Sequence, residues 1–451
     1  MANKRVDLNK VFGGDRYTSY QLMVSLLCFC LVLLDGFDLT VIGVALPKIA
    51  DFLHVKPGAL GLALAAGQVG PLVGTIFLGP LGDRWGRKWV LFGCALVFGI
   101  FTLMTAFITS APQLALYRFL GGFGLGGVVP NALTFGSEYA PASRRANGTA
   151  TMLAGMPGGA FLGAMAAVWL LPSYGWRPIF LLGGGVPIII ALLVALFLPE
   201  SLQFLVRQGK DKIRIRRIVS KIAPALAADP DVEFFSNDKK LPGLPVKHLF
   251  MEGRAFTTIL LWICAILSTY SLWVLITWAP TLMRQTGASV LQYSLGFAGI
   301  HLGSFVTFCI IGRIMDKTSP FLVLTTGFTL GAIALATFGF TGGSSFLIIA
   351  TMAFICGAFI NGSQAGILSL GTVFYPVAVR ATGIGWVYGL AKVGAMLAPA
   401  IGGILLLQNW SASVFCGTQA LVGLVLAALM PILGIATRAA ARAEKTAAAG
   451  R

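Results

Sequence analysis

Asp35 and Asp38 stand inside a run of apolar residues, 22–46, that is long enough to cross a lipid bilayer. Carboxylates at membrane depth are costly and rare, and they usually mark a proton relay or a pathway for ions or substrate. Residues three apart are neighbours on a helix, and both burial and a second nearby acid favour the protonated carboxyl group. We predict that this pair binds and releases protons. The alternative is a permanently paired acid that only holds helices together.

Three further ionisable residues lie within apolar segments: Arg118, His301 and Lys392. Arginine stays ionised, so an Asp–Arg pair keeps the acid charged until substrate or a proton competes for it. We predict that Arg118 and His301 take part in proton coupling; the alternatives are a static salt bridge and a satisfied interior histidine. A lone ammonium near the membrane midplane needs a counter-charge. Lys392 is therefore predicted to bind the carboxylate of a substrate, or else to pair with an intramembrane acid.

A small-molecule site usually combines an apolar slot with a few polar anchors. Besides Lys392, six side chains in apolar segments fit that description and are predicted to bind substrate: Phe37, Asn131, Tyr270, Trp273, Asn361 and Gln364. The alternative for the aromatic members is packing or contact with lipid. The seven cysteines lack CxxC spacing and favour packing, so we expect no disulfide framework, no metal site and no cofactor.

These side chains need a membrane scaffold to position them. The chain of 451 residues is 57% hydrophobic and only 11% charged, whereas a soluble domain carries about 25% charged residues. The predicted fold class is an all-α membrane protein, because a spanning helix needs roughly 20 apolar residues. Twelve segments reach that length: 22–46, 58–80, 89–109, 113–139, 147–171, 178–198, 256–282, 289–312, 320–341, 345–371, 382–407 and 412–436.

The basic residues predict the orientation of these helices. Of the 33 Lys and Arg residues, 27 fall in segments that are cytoplasmic if the N-terminus is inside, and four fall in the external loops. Cytoplasmic loops of membrane proteins carry such an excess, so both termini are predicted to be cytoplasmic. The net charge of +17 then reflects topology and contact with anionic lipid headgroups, and nucleic acid is not an expected partner.

Two short motifs each occur twice, about 235 residues apart. The pattern G-x-x-x-D followed by a basic residue occupies 79–84 and 312–317, and P-x-x-x-R-A-x-G occupies 141–148 and 376–383. The repeat predicts two six-helix bundles, a known transporter plan with the substrate site between parallel halves. We divide the chain into an N-terminal bundle, a cytoplasmic linker that includes an amphipathic helix at the membrane face, a C-terminal bundle and a cytoplasmic tail: 1–198, 199–255, 256–437 and 438–451.

Several of these motifs resemble those of the major facilitator superfamily. Segment 79–88, GPLGDRWGRK, is close to the superfamily's signature between its second and third helices. Segment 114–124, with Arg118, Gly122 and Gly124, resembles the signature of its fourth helix, and 199–205, PESLQFL, resembles an element after its sixth. Within the superfamily, the DGFD element at 35–38 is similar to that of the aromatic acid:proton symporters, as are the short fourth-helix elements Pro130-Asn131 and Ser137-Glu138-Tyr139.

The resemblance implies a proton-coupled secondary transporter that imports a benzoate- or hydroxybenzoate-type carboxylate by alternating access. It places the protein as a multi-pass monomer in a bacterial inner membrane, with the aromatic acid, protons and the lipid bilayer as partners. Charged residues at the predicted cytoplasmic helix ends are expected to form an inner gate that locks the outward-open state: Asp83, Arg84, Glu138, Arg145, Asp316 and Arg380.

The alternative on the same fold is a proton-driven exporter, or a transporter of another small organic anion. A membrane enzyme is disfavoured because the sequence has no His-rich metal set, G-x-S-x-G elbow or nucleotide loop at a membrane boundary. A dedicated sensor is disfavoured because no soluble signalling domain is present. We therefore predict no catalytic residues and no enzymatic activity.

Overall fold

The computed structural model describes residues 4–14, 16–209, 211–228, 232–235, 246–251, 254–340, 345–375 and 377–449. Within these ranges the chain is predominantly helical, which confirms the all-α prediction. Eleven of the described helices are long and apolar enough to cross a membrane. The remaining predicted span, 289–312, lies in a further continuous helix of 28 residues.

The first half of the chain contributes six long helices, which begin and end within six residues of the predicted spans, except that the helix for the span 147–171 begins at Gly155, after a turn at Ala154. They are α1 Ser19–Phe52, α2 Gly61–Trp85, α3 Arg87–Thr105, α4 Ala111–Tyr139, α5 Gly155–Tyr174 and α6 Arg177–Phe197. Short helical segments flank them at Leu8–Val11, Pro57–Leu60, Ala142–Arg144 and Arg145–Leu153.

The second half contributes α7 Ala255–Gln285, α8 Val290–Lys317, α9 Pro320–Phe338, α10, α11 Val377–Leu407 and α12 Ala412–Ala449. Helix α10 is built from Phe346–Cys356, a π-helical turn at Gly357–Asn361 and Gly362–Phe374. Such π-turns are rare and occur frequently at functional sites. The capping box at the start of α8, where Ser289 and Gln292 bond each other's backbone, fixes the first turn of that helix.

The linker between the halves has more secondary structure than the sequence predicted. Strand β1, Lys4–Asp7, pairs in parallel with β2, Val232–Phe235, and ties the N-terminus to the linker. Short helices occur at Leu202–Gln208, Lys212–Ile222, Pro224–Ala227 and Val246–Leu249.

The segment predicted to form an amphipathic helix contains the helix Lys212–Ile222, whose apolar face is covered by protein. Ile215, Ile218 and Val219 are buried in a hydrophobic cluster together with residues of the bundle such as Cys28 and Phe135. The apolar face therefore holds the linker on the first-half helices, where we had predicted contact with the membrane surface.

The chain forms two compact units, and these do not follow the boundaries of the predicted bundles. The first unit contains Met1–Leu39, Val69–Leu162 and Arg177–Lys240, and the second contains Thr40–Gln68, Gly163–Trp176 and Leu241–Arg451. The ends of α1 and α2 around 40–68 thus pack with the second-half helices. Helix α1 contributes to both units, with Asp35 and Asp38 in the first and Thr40 in the second.

Within the first unit, α1 and α5 cross at very close range beside the two acids. A Cβ atom at Gly36 would overlap the backbone carbonyl of Met156, and one at Gly159 would overlap the carbonyl of Leu33. Only glycine fits at these two crossing points. The glycine of the DGFD element is therefore explained by packing, and the crossing fixes the part of α1 from which Asp35 and Asp38 project.

Candidate functional site

The first unit contains a fully formed ion pair at membrane depth between α1 and α4. Nη1 of Arg118 donates to Oδ1 of Asp38 at 2.7 Å, and Nη2 donates to Oδ2 at 2.6 Å. Asp38 is 4% exposed and Arg118 is 6% exposed. A bidentate Arg–carboxylate pair of this kind has both charges and two parallel hydrogen bonds, which makes it among the stronger polar contacts. The structure thus brings together two of the four predicted coupling residues.

Asp35 and Phe37 lie on either side of Gly36 and are both buried. Asp35 is one turn of helix before Asp38, so a proton could pass between neighbouring carboxyl groups along α1. The ring of Phe37 lies against α6, where a Cβ atom at Gly183 would be 3.0 Å from its Cε1 atom. Phe37 is predicted to line a substrate slot, and its buried ring lies close to Gly183 of α6.

Asn131, also predicted to bind substrate, is buried and uses its amide group to join two helices. Its Nδ2 atom donates to the Gly127 carbonyl at 2.8 Å and to the Leu78 carbonyl at 3.2 Å. The side chain therefore ties α4 to α2 just before the Gly79–Lys88 motif. Its carbonyl oxygen faces Gly82, at which a Cβ atom would overlap it. Both amide hydrogens are used by the protein itself.

The second unit holds His301, the fourth predicted coupling residue. His301 is 4% exposed, and its Nε2 atom lies 3.3 Å from the hydroxyl oxygen of Thr40 on α1. Its ring stands edge-on to Phe297, with ring centroids 4.9 Å apart. Nothing in the sequence predicted the contact between Thr40 and His301.

Of the predicted substrate residues in the second unit, two amides are hydrogen bonded to neighbouring helices. Nδ2 of Asn361, the last residue of the π-helical turn, donates to the Ser304 hydroxyl at 2.6 Å. Gln364 donates to the Thr269 hydroxyl at 3.2 Å. Tyr270 is buried and Trp273 is half-buried, both on α7.

Lys392 lies on α11 with its side chain exposed. Among the described residues Lys392 forms no ion pair, so the alternative that it pairs with an intramembrane acid is not seen in the part of the chain that the structure describes. Gly385 and Gly389 precede it on the same helix face, and a Cβ atom at either would meet nothing within 4 Å. The ammonium group is thus at the end of an uncrowded face of α11.

The predicted cytoplasmic end of the first unit contains a second buried charge cluster. Glu138 on α4 forms an ion pair with Arg87 at the start of α3, and it accepts a 2.6 Å hydrogen bond from the Ser201 hydroxyl. Glu200 accepts from the backbone amides of Lys88 at 3.2 Å and Ser201 at 2.9 Å. An acid at a helix N-terminus is favourable, so Glu200 caps α3.

This cluster differs from the predicted gate in its partners. Arg87 and Ser201 were not predicted as gate residues, yet both belong to motifs that the sequence analysis identified. Arg84 is exposed. The other predicted gate side chains lie outside the described part of the structure: Asp83, Arg145, Asp316 and Arg380.

The described residues include no group of three or more His, Cys, Asp or Glu side chains placed to hold a metal ion. The polar centres that the structure does show are a desolvated Asp–Arg pair inside a membrane helix bundle and a capped charge cluster at a helix end. Together with at least eleven apolar helices long enough to span, these features are those of a polytopic membrane protein.

The chain belongs to the Major Facilitator Superfamily, whose sequence profile matches residues 28–251 and 261–450. It is 36% identical over 412 residues to the 4-hydroxybenzoate transporter PcaK of Acinetobacter baylyi, covering 90% of this chain and 89% of that protein. It is 31% identical to the gallate transporter of Pseudomonas putida, covering 89% of each. Among solved structures, a D-xylose-proton symporter shares the fold, with a TM-score of 0.71 and 18% identity over 91% of this chain and 97% of that one.

Proposed function

We propose that this protein imports a small aromatic carboxylate of the benzoate or hydroxybenzoate type together with protons, by alternating access. The observation that carries the proposal is the buried Asp38–Arg118 pair. It supplies one group that can be neutralised by a proton and one permanent cation that matches a carboxylate. The names of the relatives, which are transporters for 4-hydroxybenzoate and gallate, support this substrate class.

The chemistry of the pair links proton and substrate. Ionised Asp38 accepts two N–H donors of Arg118, and a guanidinium has donors only. Protonated Asp38 keeps one acceptor and gains an O–H that Arg118 cannot accept. Protonation therefore weakens the pair. The two N–H donors of Arg118 then become available to the carboxylate of a substrate, which can accept two parallel hydrogen bonds as the Asp38 carboxylate does.

The return step follows from the cost of a buried charge. After the substrate leaves, Arg118 would be a desolvated cation without a counter-ion, and removing one partner of a buried pair costs about 3–5 kcal/mol. Loss of the proton from Asp38 restores the pair. Asp35, one turn away on α1, provides a neighbouring group for proton exchange. In the second unit, His301, which contacts Thr40, is proposed as a further coupling residue, and Lys392 is proposed to bind a substrate carboxylate.

We further propose that the protein resides in a bacterial inner membrane with both termini cytoplasmic, in keeping with the distribution of Lys and Arg. The cytoplasmic charged residues predicted above would close the inner side in the outward-open state.

Uptake into proteoliposomes tests the proposal. Purified protein is reconstituted, an inside-alkaline pH gradient is imposed, and accumulation of radiolabelled benzoate, 4-hydroxybenzoate and gallate is followed. We expect accumulation above the external concentration for at least one acid, and its loss on adding a protonophore. If the acid only equilibrates across the membrane, whether or not a pH gradient is present, transport is not coupled to protons. If no acid in the panel crosses the membrane, the proposed substrate class is wrong. Proton-driven release of the acid from preloaded vesicles, without any uptake, would favour an exporter.

A further inference from the structure

The end of α1 presents one continuous face to the second-half helices within the second unit. Thr40, Gly43, Pro47 and Asp51 are spaced by three, four and four residues, so they lie on the same side of the helix. Each of them contacts α7 or α8. Asp51 is next to the last residue of α1, at the end predicted to be external.

The deeper part of this face is closely packed. The hydroxyl of Thr40 meets His301 on α8. A Cβ atom at Gly43 would lie 2.5 Å from the backbone carbonyl oxygen of Ile276 on α7. Because a backbone atom cannot rotate away, any side chain at position 43 would separate α1 from α7.

The outer part of the face is held by one guanidinium. Nη1 of Arg284, in the last turn of α7, is 2.8 Å from Oδ2 of Asp51 and donates to the Pro47 carbonyl at 2.9 Å. Pro47 and Asp51 are one turn apart near the C-terminus of α1, where exposed carbonyls carry partial negative charge. Arg284 therefore binds both the charged side chain and the end of the helix backbone.

We infer that Asp51 and Arg284 form an external latch: an ion pair that stabilises the closed position of the outer end of α1 on α7 and so controls how often the transporter opens to the outside. The inference rests on the alternating-access part of the proposed function. It assigns to both residues a positioning role in the transport cycle, with no contact to substrate.

The strength of the latch suits that role. The side chains of Arg284 and Asp51 are 41% and 49% exposed. An exposed ion pair shifts an equilibrium by about 1.5- to 5-fold. A contact of this size biases the closed state without blocking the opening that every cycle requires, whereas a buried pair would resist separation.

Pulsed electron spin resonance between His54→Cys and Gln285→Cys, two exposed positions beside the latch, measures the opening directly. The described native cysteines are buried or half-buried, and protein without the introduced cysteines gives the labelling background. We expect Asp51→Asn and Arg284→Gln each to raise the ratio of long to short distances by about 1.5- to 5-fold. The charge swap Asp51→Arg with Arg284→Asp should return the ratio toward that of the parent.

Control substitutions separate the effect of the latch from the effect of any substitution in this region. Lys48→Gln removes a cation from the same end of α1 where no ion pair is described, so it should leave the distances unchanged. Gly43→Ala should also populate long distances, because its Cβ meets backbone, whereas Gly417→Ala adds a Cβ to open space and should not. Unchanged distances in both single latch variants, or a swap that shows no recovery, would overturn the latch.

The distance measurement needs no substrate, so its failure is distinguishable from failure of the proposed function. If the latch variants change the distances as expected but the protein transports no aromatic acid, only the proposed substrate class is rejected. Gradient-driven uptake with distances unaffected by the latch variants would reject the latch alone.

Discussion

At membrane depth, the guanidinium of Arg118 and the carboxylate of Asp38 are both buried, so each has lost its water and is hydrogen bonded to the other. The desolvation of two ions offsets most of their attraction, so such a pair contributes little net stability compared with apolar residues of the same volume. Removing one partner is costly, however, because the other charge remains buried. These two properties suit a group that is neutralised and recharged in each cycle, and they predict that stability and transport respond differently to substitution.

Asp38→Asn tests this difference. The amide keeps the size of the side chain but removes its charge and places N–H donors against those of Arg118. We expect gradient-driven accumulation to be lost, the unfolding temperature to fall by several degrees, and binding of the acid to persist because Arg118 is unoccupied. Uptake, thermal unfolding in detergent and equilibrium binding measure the three effects. Asp35→Asn should also lose accumulation while leaving the Asp38–Arg118 pair intact.

A double variant provides the control for Asp38→Asn. Adding Arg118→Gln removes the uncompensated cation, so thermal stability should recover while accumulation stays absent. Full accumulation by both Asp35→Asn and Asp38→Asn would show instead that these acids are structural.

The exposed position of Lys392 leads to a second residue-scale prediction. A charge-assisted hydrogen bond is worth roughly 1.5–3 kcal/mol, which is about 10- to 150-fold in affinity. If the ammonium contacts the substrate carboxylate, Lys392→Met should weaken binding of 4-hydroxybenzoate by that order and affect 4-hydroxybenzamide much less. Isothermal titration with the acid and the amide compares the two. Equal weakening of both would leave Arg118 as the carboxylate contact.

At the scale of elements, sequence patterns predict what depends on local composition. Helix positions follow from apolar length, and the amphipathic helix Lys212–Ile222 follows from its periodicity. The covering of that helix by protein, the β1–β2 pairing and the Arg87–Glu138 ion pair depend on segments distant in sequence. The local sequence does not specify these contacts. A charged residue has the same type whether it is exposed in a loop or buried in an ion pair.

The crossing of α1 and α5 gives an element-scale prediction. Gly36→Ala places a methyl group against the Met156 carbonyl, so the two helices must separate. Overpacking of this kind typically costs about 1–3 kcal/mol, and separation would also displace Asp35 and Asp38. We expect a lower unfolding temperature and reduced uptake. Gly158→Ala on α5 is the matched control, because its Cβ would meet nothing within 4 Å; equal effects of both would reject the steric explanation.

At the scale of the whole molecule, the division into two compact units shows which segments pack together. The duplicated motifs predict two halves, but the segment 40–68 of the first half groups with the second. A sequence repeat cannot predict this grouping, because a transporter uses one chain in several arrangements and the repeat is the same in all of them. The latch residues were missed for the same reason: Asp51 and Arg284 look like ordinary charges at helix ends.

Two locks on opposite sides of a transporter should act against each other. The external latch favours the state closed outside, and the predicted inner gate that includes Asp83 favours the state closed inside. Asp83→Asn should therefore lower the long-distance population between labels at 54 and 285, opposite to Arg284→Gln, and the double variant should lie between them. A substitution that biases states without touching substrate leaves the intrinsic affinity of the binding-competent state unchanged. Slower uptake by Asp83→Asn with nearly unchanged equilibrium binding would agree with this role, whereas a large loss of affinity would place Asp83 in the substrate site.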